Sequence, residues 1–110
     1  MDYDRFEEQL KTIKDNPEQY FTLDHSYGSI RFVWDKYNNM YQIVNAIGTV
    51  SFFSDYTIIK DENLIKFYRW IKTVNKDGNE KYVQCVTVLL VVNDVDPQIL
   101  SELIKRDVKE

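Results

Sequence analysis

IKFYRWIKTVNKDGNEKYVQCVTVLLVV, residues Ile65–Val92, decides how this chain folds. Two runs of alternating, β-prone residues flank Lys76-Asp77-Gly78-Asn79, and Asp-Gly between such runs is the strongest local mark of a hairpin turn. With Asp77-Gly78 as the centre of a two-residue type I′ turn, Asn75 faces Glu80, Thr73 faces Tyr82 and Ile71 faces Gln84. Further down, Phe67 faces Val88 and Ile65 faces Leu90. A three-residue loop with a bulge at Gly78 would shift the pairing by one, and the two-residue turn is the preferred reading. Side chains alternate across the pleat, so one face gathers Ile65, Phe67, Ile71, Tyr82, Val86, Val88 and Leu90, broken only by Arg69, Thr73 and Gln84. That face is the expected core. The other carries Tyr68, Trp70, Val83, Cys85, Thr87 and Leu89 with Lys66, Lys72 and Lys81. It is too apolar for a plain solvated surface and too charged for a second deep core, which makes it a candidate contact surface.

Outward from the hairpin the remaining elements are short. Tyr3, Phe6, Leu10 and Ile13 recur at helical spacing, and Asp4 with Glu7 fits a capping box, so residues 3 to 15 read as an amphipathic helix closed by Asn16-Pro17. Tyr20, Phe21 and Leu23 suggest a short strand or an extended segment within residues 17 to 27. Ile30 to Trp34 and Met40 to Ile47 form a second hairpin around the turn-forming Lys36-Tyr37-Asn38-Asn39. Val50 to Phe53 and Tyr56 to Ile59 form another pair of runs around Ser54-Asp55. At the C-terminal end Asp94 or Asp96 can cap, Pro97 suits a first helical position, and Ile99, Leu100, Leu103 and Ile104 make an apolar stripe. A closing helix over about residues 97 to 108 is expected. The fold class is α+β: an N-terminal helix, a four- to six-stranded antiparallel meander in a single curved sheet, and a C-terminal helix, in one compact domain spanning residues 1–110.

Composition narrows the function. At 110 residues and 44% hydrophobic content the chain suffices for one core and no more. A net charge of −4, with both signs dispersed, lacks the basic stripe that neutralises a phosphate backbone, so no direct nucleic-acid binding is expected. No apolar run approaches the roughly 20 residues that span a bilayer. Met1-Asp2-Tyr3-Asp4 is acidic where a secretory signal would be basic, and the expected location is the cytoplasm, away from membranes. The single cysteine, Cys85, allows no internal disulfide.

Few residues invite chemistry. The only histidine, His25, stands between Asp24 and Ser26 with no motif linking it to a nucleophile. Metal-ligand spacings are missing, the carboxylate pairs fit helix starts and loops, and the three isolated glycines form no phosphate cradle. No catalytic residue, metal or cofactor is therefore assigned. Partner binding is assigned to Tyr68, Trp70 and Lys72, extended by Arg31, Trp34 and the hairpin-tip Tyr37. Asp2, Asp4, Glu7, Glu8, Asp61 and Glu62 make a candidate acidic surface for a basic partner. The expected function is non-enzymatic protein binding, as a small inhibitor, immunity or adaptor protein of bacterial or phage type that occludes a protein partner. A structural homo-oligomer, a homodimer in the simplest case, is the first alternative. The second is a small ligand-binding or enzymatic domain inside a curved sheet of cystatin-like or nuclear-transport-factor-like kind, folds that share this order of elements without implying an activity.

Overall fold

The computed structural model describes residues 1–25, 28–100 and 104–105. Helix α1 is Tyr3–Asp15, as its spacing predicts, with Phe6, Leu10 and Ile13 buried. Its cap is Asp2 and not Asp4: the Asp2 carboxylate accepts the Arg5 amide at 3.0 Å, leaving Asp4 in the first turn where a negative charge faces the positive end of the helix dipole. Ten further segments up to Leu100, eight strands and two short 3-10 turns, follow among the described residues, with a two-residue strand beyond. β1 (Gln19–His25), β2 (Gly28–Asp35), β3 (Met40–Val44) and β4 (Val50–Phe53) run as an antiparallel meander. β5 (Asp55–Ile59), β6 (Leu64–Val74) and β7 (Glu80–Val91) form a separate three-stranded antiparallel sheet in that order.

The single meander sheet is thus corrected to two. The break falls at Ser54, whose amide donates to the Tyr68 carbonyl at 3.0 Å, so β4 and β5 belong to different sheets and do not pair with each other. The two sheets and the 13-residue helix share one aromatic core. Phe21 and Phe32 of the first sheet stack at 4.9 Å, while Phe67 of the second lies 5.7 Å from Phe32 and 4.7 Å from Phe53. Phe6 of α1 meets Phe21, Phe32 and Phe67 edge-on or nearly so. Phe6, Phe21, Phe32, Phe53 and Phe67 are fully buried, each contributing about 1.5–3 kcal/mol of transfer free energy. The space between the sheets is therefore filled.

The C-terminal helix is also corrected. Val95–Leu100 is a strand, β8, which pairs with β1 through Leu23 opposite Leu100 and His25 opposite Val95, and Ile104–Lys105 is a short strand, β9, on the same side of β1. The rest of the expected helix, residues 101–103 and 106–108, lies outside the described residues. β1 has β2 on one side only, so its other row of backbone groups needs a partner, and that demand outweighs helical spacing. Pro97 lacks an amide proton and is tolerated because β8 is an edge strand.

Two turns are built alike. In Asn45-Ala46-Ile47-Gly48-Thr49 and in Asn75-Lys76-Asp77-Gly78-Asn79, the Gly amide donates to the Asn carbonyl and the Asn amide donates to the carbonyl of the fifth residue. In each, the Asn side-chain oxygen accepts the amides of the third and fifth residues. Gly48 and Gly78 sit at φ +86° and +79°, the left-handed conformation that closes a three-residue loop. The two-residue turn at Asp77-Gly78 is therefore corrected to the three-residue loop Lys76-Asp77-Gly78.

Two tyrosines pin α1 to the sheets. The Tyr41 hydroxyl donates to the Leu10 carbonyl at 3.0 Å. Burial pushes the Tyr41 phenol up to about 12, and burial beside the Glu7 carboxylate does the same for Tyr56. Since ionisation is resisted only in the folded state, the stabilisation is complete below the unfolded phenol value of about 10 and is lost as pH rises towards 12. Tyr41→Phe should lower stability near neutral pH by about 1 kcal/mol and flatten the alkaline fall, as read from urea denaturation at a series of pH values. A Tyr41→Phe protein with an unchanged alkaline limb would contradict this assignment.

Candidate interaction surface

Beyond Phe67 the β6–β7 hairpin leaves the core. Ile65 and Phe67 are fully buried, yet from Arg69 to Lys81 almost every residue is exposed. The Cα radius of gyration, 15.2 Å, exceeds the roughly 13 Å of a compact chain of this length. The projecting arm contributes to that excess.

Pairing changes register where the arm departs. Near the core Phe67 faces Val88 and Ile65 faces Leu90, as the sequence predicts. Toward the tip Tyr68 faces Val86, Trp70 faces Gln84, Lys72 faces Tyr82 and Val74 faces Glu80, one residue off the expected register. The extra residue is Thr87, whose hydroxyl donates to the Phe67 carbonyl at 3.3 Å. A bulge moves the strand beyond it to the opposite side of the pleat. The mixed face expected from sequence therefore does not exist as one surface: Trp70 shares its face with Tyr82, Gln84 and Val86, while Val83 and Cys85 lie on the other with Ile71.

The first of these faces is a large exposed apolar surface. Trp70 is 50% exposed, Tyr82 65%, Val86 45% and Leu89 57%. Tyr68, at its base, is buried; its hydroxyl hydrogen-bonds Thr57 at 3.0 Å and its ring meets Trp70 edge-on at 5.7 Å. Lys72 pairs with Glu80 at 2.9 Å near the tip. Tyr68 thus holds Trp70 in place, and Trp70 and Tyr82 are the side chains available for contact. Unbroken alternation puts Tyr82 on the core face, and the bulge moves it to the exposed one.

The other assigned residues stand on the first sheet. Trp34 is mostly buried, against Tyr41 at 4.8 Å with Lys14 Nζ 5.2 Å above its ring. Arg31 is exposed on β2 and lies over Tyr20 at 4.6 Å. Tyr37 is 89% exposed at the β2–β3 tip. A surface cleft of about 400 Å³ runs between Pro17, Glu18, Trp34 and Tyr37. Asp35 organises that tip, accepting the Tyr37 and Asn38 amides at 3.0 and 3.2 Å and the side chains of Asn38 and Gln42 at 2.7 and 2.9 Å. His25 lines a second cleft of about 310 Å³ with Ser29, Asn45, Ile47 and Leu89. Among the described residues, no three His, Cys, Asp or Glu side chains are placed to share a metal ion.

The acidic set is brought partly together. Lys60 Nζ stands 5.5 Å over the Tyr3 ring, so the 3-10 turn Lys60–Glu62 with Asp61 and Glu62 lies beside the helix start that carries Asp2 and Asp4. Within it Asp2 serves as the helix cap, and Glu7 faces Tyr56. No protein-family model, curated protein or solved structure matches this chain. No helix among the described residues is long and apolar enough to cross a membrane.

The Asn38 side chain, the largest influence, together with the other donors at the tip, holds the Asp35 carboxyl below its ordinary value. Its stabilising contribution is present above the unfolded carboxyl value of about 3.9 and is lost as pH falls through the lower folded value. Asp35→Asn should remove that acid-dependent component, so that thermal melts of the variant fall less steeply than wild type between about pH 4 and pH 2. Equal slopes would show that Asp35 does not carry it.

Proposed function

We propose that this protein is a non-enzymatic binding module that engages a protein partner through the distal β6–β7 arm, in the manner of a small inhibitor, immunity or adaptor protein. The observation that supports this most is the exposure of Trp70 and Tyr82 beside Val86 on the part of the hairpin that lies beyond its core residues. Folding gives no reason to place an indole there, whereas Trp and Tyr are the side chains that dominate protein–protein contacts. The net charge of −4 favours a protein over a nucleic acid as ligand. A filled interior favours contact by outer surface over conversion of a small substrate within the sheet. A lone cysteine in a strand suits the reducing cytoplasm as its location.

Affinity capture from host lysate tests this reading. Wild type should retain a defined polypeptide that Trp70→Asp loses by at least about tenfold, the cost of one central aromatic contact, while Tyr37→Ala at the other hairpin tip retains it. Circular dichroism should show Trp70→Asp folded, because its side chain is half in solvent already. Retention that ignores Trp70, or an arm that neither retains a polypeptide nor associates with its own copy, would overturn the proposal.

A further inference from the structure

We infer that the partner of the arm is a second copy of this chain, joined through the outer edge of β7 in antiparallel register centred on Gln84. This rests on the reading of the arm as a contact surface and names what it binds. β7 is an edge strand of 12 residues, and no described strand pairs with its outer side. Edge strands usually carry lysine, proline or short length to block pairing with other chains. The opposite edge of this sheet, β5, has only 5 residues, and β8 contains Pro97. From Tyr82 to Val91 β7 has neither a charge nor a proline, and from Glu80 to Val86 its pairing with β6 keeps one unbroken register.

That distal stretch, Tyr82-Val83-Gln84-Cys85-Val86, is complementary to itself. Turned about a two-fold axis through Gln84, Tyr82 meets the second copy's Val86 and Val83 meets its Cys85, an aromatic–aliphatic pair and an apolar pair of the kind that stabilises antiparallel strands. Gln84 meets Gln84, and a carboxamide both donates and accepts, so the one polar residue of the run satisfies its own copy. The charged residues fall outside: Lys81 reaches Thr87 and Glu80 reaches Val88, so no like charges oppose. Trp70, which flanks Gln84 on β6, then continues the row on both sides of the axis. Its exposed ring gains cover from the second copy's Gln84 and Tyr82. The two three-stranded sheets become one of six strands.

Light scattering after gel filtration, with distances between nitroxides on the native Cys85, tests this. Wild type should run at twice 13.2 kDa, with the two Cys85 Cα atoms within about 10 Å as two residues of offset across one strand spacing require. Gln84→Lys sets two lysines opposite each other at an exposed position, and should give a folded protein of single-chain mass whose dimer dissociation constant has risen at least tenfold. A wild-type monomer at millimolar concentration overturns the inference, and so does a dimer whose Cys85 labels are far apart or whose mass ignores Gln84→Lys. A monomer that still captures another protein through Trp70 overturns self-pairing and leaves the binding-module reading intact. A monomer that captures nothing overturns both.

Discussion

Two demands on the β6–β7 hairpin disagree by one residue, and the bulge at Thr87 settles them. The loop Asn75–Asn79 fixes the distal register, because the Asn75 carboxamide and Gly78 at positive φ close a three-residue turn. Carried down to the core, that register would set Phe67 against Thr87 and Ile65 against Leu89. Val88 and Leu90 would then face away from the interior. Each branched aliphatic side chain lost from the core costs about 1.5–3 kcal/mol, so the core imposes Phe67 opposite Val88 and Ile65 opposite Leu90. One looped-out residue reconciles turn and core at the cost of a single disrupted ladder position.

The reversal of faces beyond the bulge has consequences for function. It brings Tyr82 and Val86 onto the side of Trp70 and leaves Gln84 between them. Without it Trp70 would stand over Cys85 and Val83. The same residue that lets the aromatic core close therefore assembles the exposed apolar surface of the arm. With the interior filled by Phe6, Phe21, Phe32, Phe53 and Phe67, the exposed apolar surface falls on the segment that core packing does not use.

Much of this was legible in the sequence. Helix α1, the hairpin around Lys36–Asn39 and the proximal register of Phe67 and Ile65 follow from local periodicity and turn residues, which act over a few positions. The sheet break at Ser54 follows from how two inner faces pack, and no local pattern marks it. The strand at Val95–Leu100 answers a need of β1, some 70 residues away, that helical spacing cannot express. One missed sign was local: Asn-x-x-Gly occurs at Asn45 and again at Asn75, and that repetition marks the same three-residue turn twice. With that turn, the alternating pattern alone would have shown that core and tip require different registers. Of the aromatics assigned to partner binding, Trp70 and Tyr37 are exposed, whereas Trp34 and Tyr68 are held in packing, and the bulge brings Tyr82 to the surface.

The register itself can be read directly by nuclear Overhauser effects between Hα protons of facing residues along β6 and β7. The bulge predicts a contact between Trp70 and Gln84 together with one between Phe67 and Val88, two registers within one hairpin. A contact between Trp70 and Cys85 would mean a single unbroken register, and would remove both the reversal of faces and the surface built on it.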